Sequence, residues 1–301
     1  MLFRSDEITV LLAKGLYNLI NHTGSRDVAT AQGLLTQLNS LHSQNPENDE
    51  ITVLLAKGLY NLINHTGSRD VATAQGLLTQ LDSLHSQHPE NDEITVRLAN
   101  GLYNLINHTG IKDVATAQGL LTQLDSIHAQ YPENNEITVL LANGLGSLLY
   151  LYTEKLSREN ISLYFEKIIS LVDGHLDKVE ILTITVIVIE KIVNQEGQIQ
   201  LLPKYLLPII SNHFQNQKWQ EGFEYFVKLR SLYSENIENE ALAGLTFVAC
   251  QLTFVASLQL NNQEEAKSIF ENMQFIANKF DKNEEIQGAW QEFLASLKVD
   301  E

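Results

Sequence analysis

Apolar positions in the first 134 residues recur with the 3.6-residue period of α-helices and define two kinds of helix. In the first kind, predicted over residues 6–21, apolar side chains cover well over half of the helix circumference. A helix of this kind is expected to be packed on both flanks. The second kind begins after Asp27 and has one amphipathic face, as expected of an outer layer. The pattern therefore predicts stacked helix pairs.

The pattern repeats every 43 residues. The Asp-Glu-Ile of residues 6–8 returns at 49–51 and 92–94 and, as Asn-Glu-Ile, at 135–137. Residues 6–48 and 49–91 agree at 41 of 43 positions, and residues 49–91 and 92–134 agree at 36 of 43. A period in this range is typical of solenoids, in which each unit buries its apolar face against its neighbours. We therefore expect an all-α fold, an α-α superhelix of about seven antiparallel helix pairs.

Turn chemistry marks the helix ends within each repeat. Asn48 and Asn91 are placed to cap the next first helix, and the second helix follows a capping aspartate (Asp27, Asp70 and Asp113). Three prolines stop the second helices: Pro46, Pro89 and Pro132. Three glycines after the first helices suit left-handed C-caps: Gly24, Gly67 and Gly110.

The repeat decays beyond residue 135 without disappearing. We interpret residues 1–135 as three near-identical helix pairs, and residues 136–301 as diverged helical repeats that continue and cap the solenoid. The segment from Ile181 to Ile189 is rich in β-branched residues, but its helical surroundings favour a buried helix. Pro203 and Pro208 leave the pairing of helices between residues 195 and 216 open.

These units resemble tetratricopeptide (TPR) repeats of the lengthened, kinesin-light-chain-like kind. The first helix keeps Leu12-Ala13-x-x-Leu16, with Leu in place of the family's aromatic residue, and the second keeps Ala31-x-x-x-Leu35-x-x-Leu38. The usual unit has 34 residues, and we expect the nine extra ones mainly in the turn between the helices and at the end of the second helix. A HEAT-like or unclassified helical repeat is the alternative.

The resemblance implies a partner-binding site on the polar stripe of the first helices, which lines the concave groove in TPR arrays. We call these residues the first-helix stripe. They are Leu11, Lys14, Asn18, His22, Leu54, Lys57, Asn61, His65, Arg97, Asn100, Asn104, His108, Leu140 and Asn143. Three of them, Asn18, Asn61 and Asn104, would form a ladder of amides that can hold an extended peptide. The alternative is that asparagine is merely tolerated there and copied by duplication. Since the stripe has basic residues and no acid, we expect a mildly positive groove that suits an acidic segment.

Charge and composition narrow the function classes. Twenty Lys and Arg against 37 Asp and Glu give a net charge of −17, which argues against a nucleic-acid partner. No signal peptide is visible, and the apolar stretches 137–153 and 241–263 favour buried helices over membrane spans. We therefore expect a cytoplasmic protein without a membrane partner.

Catalytic, cofactor and metal chemistry has no support in the motifs. Phosphate loops, dinucleotide fingerprints and nucleophile elbows are absent, so we expect neither an enzyme nor a cofactor. The recurring histidines at 22, 65 and 108 belong to separate helix pairs, too far apart to share a metal. Cys250 lies in an apolar context typical of an inert buried thiol.

The sequence therefore predicts a non-catalytic scaffold or adaptor that binds a peptide or protein through its concave groove or its C-terminal helices. The first alternative is a regulatory sensor, within a larger bacterial signalling or defence assembly, that changes shape on ligand or partner binding. The second is a structural array that self-associates through the apolar helix at residues 241–260.

Overall fold

The structure, a computed structural model, describes residues 5–109 and 113–297. Within these residues it contains fourteen α-helices, one 3-10 turn (Thr153–Lys155) and no strand. The all-α class is therefore confirmed, and fourteen helices equal the number in seven pairs. The chain divides into two compact units between Lys167 and Ile168, within α8 (Arg158–Gly174). That residues 136–301 continue and cap one solenoid stays a prediction.

The first unit is a stack of helix pairs. Its helices are α1 (Ser5–Thr23), α2 (Val28–Gln44), α3 (Asp49–Gly67), α4 (Val71–Gln87), α5 (Asp92–Thr109), α6 (Val114–Gln130) and α7 (Asn135–Tyr152). The first helices of the repeats, α1, α3, α5 and α7, lie side by side. Each second helix packs on the first helix of its own pair and on that of the next pair.

The predicted caps form. Oδ1 of Asp27 accepts a hydrogen bond from the backbone N–H of Thr30 at 3.0 Å, and the same bond recurs in the next two repeats. Asn48 caps α3 by accepting from the N–H of Ile51 at 3.2 Å. Each second helix ends two residues before its proline. Only three to four residues separate α1 from α2 and α3 from α4, so the expectation that the extra residues lie in this turn was wrong: the helices themselves are long.

The glycine prediction was also wrong. Neither Gly24 nor Gly67 has a positive φ, and Gly67 is the last residue of α3. Gly110 lies outside the described residues. The reason for glycine here is contact between repeats: a Cβ on Gly67 would stand 2.7 Å from Cδ2 of His108.

The second unit contains the end of α8 and six further helices: α9 (Val179–Ile192), α10 (Gln195–Gln215), α11 (Trp219–Glu235), α12 (Glu240–Gln259), α13 (Gln263–Lys279) and α14 (Glu284–Ser296). The β-branched segment is a helix, as predicted, and most of it is buried. Both Pro203 and Pro208 lie inside one continuous helix, α10, which packs against α9, α11 and α12. The neighbours of this helix, which the prolines had left open, are thus α9, α11 and α12.

The longest strongly apolar helix of the second unit is α12 (Glu240–Gln259). By length and composition it is the one helix in the described residues that could cross a membrane, but 56% of its apolar window is buried inside the protein. Its buried residues include Phe247, Cys250 and Phe254. Phe254 meets the ring of Phe293 on α14 edge to face, with centroids 5.2 Å apart. In this unit α12 is thus a core helix.

Candidate partner-binding surface

The first-helix stripe runs along the first unit on α1, α3, α5 and α7. Its lysines, asparagines and histidines and Arg97 are exposed or half-buried. Leu54 and Leu140 are not: they are 7% and 6% exposed and belong to the packing between repeats. These two leucines therefore offer a partner almost no surface, because the preceding helix pair covers them. That the remaining stripe residues bind a partner stays a prediction.

Ion pairs cross the stripe from each repeat to the next. Nζ of Lys14 lies 2.6 Å from Oε1 of Glu50, and Nζ of Lys57 lies 2.8 Å from Oε1 of Glu93. In the next repeat Asn100 replaces the lysine and donates to Oε1 of Glu136 at 3.1 Å. The first-turn glutamates of α3, α5 and α7 thus face the stripe of the repeat before each of them. The expectation of a stripe without acids missed these carboxylates, which balance its positive charge.

Glu93 is the most heavily paired of these glutamates. It accepts from Lys57 and also from the guanidinium of Arg97, 3.3 Å away on the same helix. The hydrogen bond from Lys57 is the largest cause that lowers the pKa of Glu93, and the bond from Arg97 adds to it, against some desolvation. Arg97 also lies over the ring of Tyr60, 5.6 Å from its centroid. Arg97 stands where the preceding repeat has Leu54, and its contact with Tyr60 adds a link between the two repeats.

The amides of the predicted ladder reach to the preceding first helix and not to one another. Nδ2 of Asn61 donates to Oδ1 of Asn21 at 3.2 Å, and Nδ2 of Asn104 donates to the hydroxyl of Tyr60 at 3.5 Å. Among the described residues, the side-chain oxygens of Asn61 and Asn104 have no hydrogen-bond partner. Each amide keeps that acceptor and a second N–H for a ligand.

The stripe histidines contact glycines of the preceding repeat. The rings of His65 and His108 lie against Gly24 and Gly67, in the same way in both repeats. His22 has no such neighbour and is exposed. In the described residues no group of three His, Cys, Asp or Glu side chains is placed to hold a metal. The recurrence of histidine therefore has a packing explanation.

A second concave surface, not predicted from the sequence, lies between the second helices. A groove of about 810 Å³ separates α2 from α4. Leu35, Leu55 and Leu59 are among its apolar residues, and polar uncharged side chains line it as well: Gln32, Thr36, Asn39, Ser43, Thr73, Gln80, Ser83 and Gln87. We call this the α2–α4 groove.

The same groove recurs one repeat later, between α4 and α6, with a volume of about 360 Å³. Each of its eight lining residues is the equivalent, 43 positions on, of one of the sixteen that line the α2–α4 groove, and Asp82 stands where the first groove has Asn39. The sequence carried a signal for these grooves in the glycines at 33, 76 and 119. Each lies inside a second helix, and a Cβ there would meet nothing within 4 Å. Glycine at such a site is unfavourable for the helix and has no packing reason.

The buried titratable side chains include His42 and Cys250. His42 lines the α2–α4 groove, but its Nε2 is buried and has no hydrogen-bond partner in the described residues. Burial lowers the pKa of His42, and the neighbouring His88 lowers it further.

Cys250 is fully buried in α12, and burial raises the pKa of its thiol to about 12. The prediction that Cys250 is a buried thiol is confirmed.

Comparison with known proteins adds no function. No protein-family model, curated protein or solved structure matches this chain.

Proposed function

We propose that this protein is a non-catalytic interaction scaffold that binds an extended segment of a partner protein along the first-helix stripe. The observation that carries the proposal is the set of amides at 61 and 104, which repeat at one register along adjacent first helices and keep unused hydrogen-bonding groups. A peptide backbone offers alternating N–H and C=O groups, which such amides can match without selecting a side-chain sequence. Rigid helix pairs present this surface already formed, so little ordering is needed on binding.

We further infer that the helix pairs are TPR-like. The small residues of the family pattern, Ala13 in the first helix and Ala31 in the second, are both fully buried. Each second helix stops before a proline, as the family's second helix does. The period of 43 residues and the missing aromatics are the differences, and a HEAT-like or unclassified helical repeat is the competing assignment.

The preference for an acidic partner now has to be tested with neutral substitutions. Because Lys57 and Arg97 both contact Glu93, a glutamate at either position would put carboxylates together and disturb the stripe itself. We therefore choose Lys57→Met with Arg97→Met. An acidic segment bound at these cations should bind the variant more weakly and with a shallower salt dependence. Unchanged affinity and salt dependence would contradict an acidic partner.

The scaffold proposal is tested by affinity capture from the native host, followed by titration of the captured partner against purified variants. The first variant carries Asn18→Ala, Asn61→Ala and Asn104→Ala. Three lost hydrogen bonds of about 0.5–1.5 kcal/mol each predict affinity that is about tenfold weaker or more.

The matched control removes three exposed amides at the same 43-residue spacing from the second helices, with Gln37→Ala, Gln80→Ala and Gln123→Ala. Unchanged binding by this control supports the stripe. If only the control weakens binding, the partner lies in the grooves between second helices and the stripe assignment is wrong. If neither variant affects binding, the partner binds elsewhere.

The alternative, a regulatory sensor, differs in what happens to the protein after binding. A sensor that changes the curvature of its helix stack should alter the small-angle scattering profile when the partner is added, beyond the change due to added mass. A scaffold keeps the profile expected for a rigid complex. Cytoplasmic location is part of the same proposal and is tested by cell fractionation.

A further inference from the structure

The first helix of the first repeat exposes an apolar face that the later repeats bury. Ile8, Leu11, Leu12 and Leu19 are 56%, 55%, 54% and 50% exposed. Their equivalents in α3 are Ile51, Leu54, Leu55 and Leu62, which are 0%, 7%, 3% and 0% exposed because α1 and α2 cover them. The sequences of these two helices are identical over this face. We call the four α1 residues, together with Gly15, the uncovered α1 face.

The equivalents of Gly15 in the later repeats show which side chains pack against this face. A Cβ on Gly58, its equivalent in α3, would lie 3.2 Å from Cδ1 of Leu35 and 3.5 Å from Cδ1 of Ile20. Gly101 and Gly144 meet leucine and isoleucine tips in the same way. A Cβ on Gly15 would meet no atom within 4 Å in the described part of the chain, apart from its own helix backbone. The uncovered α1 face is therefore a formed socket whose three internal copies each hold branched apolar side chains from both helices of the preceding pair.

We propose that a second copy of this chain covers the face, with α1 packed antiparallel on α1 of the partner about a twofold axis. The spacing of Ile8, Leu12, Gly15 and Leu19 is four, three and four residues, which reads the same in both directions. In an antiparallel pair Leu12 of one copy lies over Gly15 of the other, and Ile8 lies against Leu19. Leu12 then takes the place that Leu35 takes over Gly58 inside the chain.

The internal contacts show that this face accepts a first helix. Within the first unit, first helices pack directly on first helices, α1 on α3 and α3 on α5. Those contacts are parallel, since His65 in the last turn of α3 meets Gly24 at the end of α1, and they join unlike faces. A twofold contact between two α1 helices joins like faces instead and is closed, so it gives a dimer and not a filament. An aliphatic face of this kind has few groups for a polar or charged segment to bind, whereas a second copy is apolar at the matching positions.

The test is sedimentation equilibrium of the full chain over a range of concentrations, with two matched variants. Leu12→Glu places a carboxylate on the twofold contact and should raise the dimer dissociation constant about tenfold or more. Val255→Glu changes an equally exposed apolar residue, 51% exposed on α12, and should leave the dissociation constant unchanged. Circular dichroism should show that each variant is folded, since both substituted positions are exposed.

Cross-linking tests the orientation. A mixture of Ile8→Cys protein and Leu19→Cys protein should form a mixed disulfide dimer on oxidation, since the proposal brings these positions together. Leu19→Cys protein alone should not, because the two equivalent positions lie about 16 Å apart along the helix axis. The native Cys250 is buried and does not interfere.

A chain that stays monomeric at every concentration overturns the proposal. A dimer that persists in the Leu12→Glu variant also overturns it. If Val255→Glu dissociates the dimer and Leu12→Glu does not, the dimer is formed through α12. Cross-linking of Leu19→Cys protein with itself, without the mixed product, would overturn the antiparallel arrangement.

Discussion

The imidazole of His65 lies so close to Gly24 of the preceding repeat that a Cβ on this glycine would stand 2.7 Å from Cδ2 of the ring. The same contact joins His108 to Gly67. A histidine in the last turn of one first helix thus fixes the spacing to the first helix before it. Glycine is needed here for the close approach, and not for its conformational freedom.

Alanine in place of two glycines should therefore change stability in opposite directions. We expect Gly67→Ala to lower the free energy of unfolding by about 1 kcal/mol, because the added methyl group displaces the His108 ring. Gly76→Ala, in the middle of α4 with nothing within 4 Å, should raise it by about 0.5–1 kcal/mol. Urea denaturation measures the free energy of unfolding of both variants. Adding His108→Ala to Gly67→Ala should restore part of the stability that Gly67→Ala loses. Equal effects of the two alanines would argue against the contact.

The Glu93 ion pairs should contribute a small, pH-dependent term to stability. Because Lys57 holds the pKa of Glu93 below its ordinary value of 4.5, the folded state releases this proton more readily than the unfolded state. The contribution is then present above pH 4.5 and lost as the pH falls through the folded pKa. Glu93→Gln should cost about 0.5 kcal/mol at pH 7, given the exposure of the pair, and progressively less as the pH falls below 4.5.

The control for Glu93→Gln is Glu133→Gln. Glu133 is exposed and has no ion pair or hydrogen bond among the described residues. Denaturation curves at pH 7 and pH 3 compare the two variants with the parent protein. A loss at Glu93 that persists undiminished at the lower pH would mean that the substitution acts through packing and not through charge.

His42 should make stability fall in mildly acidic solution. Burial is the main cause that depresses the pKa of His42 below its ordinary 6.5, so the unfolded chain binds a proton that the folded protein resists. Stability is therefore greatest above pH 6.5 and decreases as the pH falls toward the folded pKa, by at most about 1.4 kcal/mol per pH unit for this one group.

His42→Leu should remove that dependence and the unpaired Nε2 together. We expect the variant to gain stability over the parent at pH 5.5 and to gain less at pH 8, as measured by urea denaturation. The matched substitution His22→Leu, on the exposed face of α1, is the comparison. A gain that is the same at both pH values would show that titration of His42 does not limit stability.

Helix positions and caps were predictable from sequence because their causes are local. Asp27 caps the helix that begins at the next residue by accepting from an N–H three positions further on, and Pro46 stops that helix within the same repeat. The stripe could likewise be placed on one helix face by its period. The residues that face the stripe from the next helix could not be predicted, since they depend on the register between the two helices. Hence the glutamate that neutralises Lys57 was missed, although Glu93 is 36 residues further along the chain in a known repeat.

The burial of Leu54 illustrates the same limit. On its own helix Leu54 belongs to the polar stripe, and in α1 the equivalent Leu11 is indeed exposed. Only the presence of a preceding helix pair buries it. A pattern copied three times thus has a different environment in its first copy, which a helical wheel cannot express. The grooves between second helices were missed for a related reason, because they arise from the separation of two helices and not from either face alone.

Cys250 gives a direct probe of opening in the second unit. It is fully buried in α12, and its thiol has a pKa of about 12, so almost no thiolate is present at pH 8 and reagent cannot reach the sulfur. We expect 5,5′-dithiobis(2-nitrobenzoate) to react with less than about one per cent of the protein on the timescale that suffices for a free thiol, and to react fully in denaturant. If labelling in increasing urea follows the loss of helical circular dichroism, Cys250 is exposed only by global unfolding. Rapid labelling of the folded protein would mean that α12 is not packed as described. The burial of α12 argues against contacts with a membrane or a partner, and such labelling would make it a candidate surface for them.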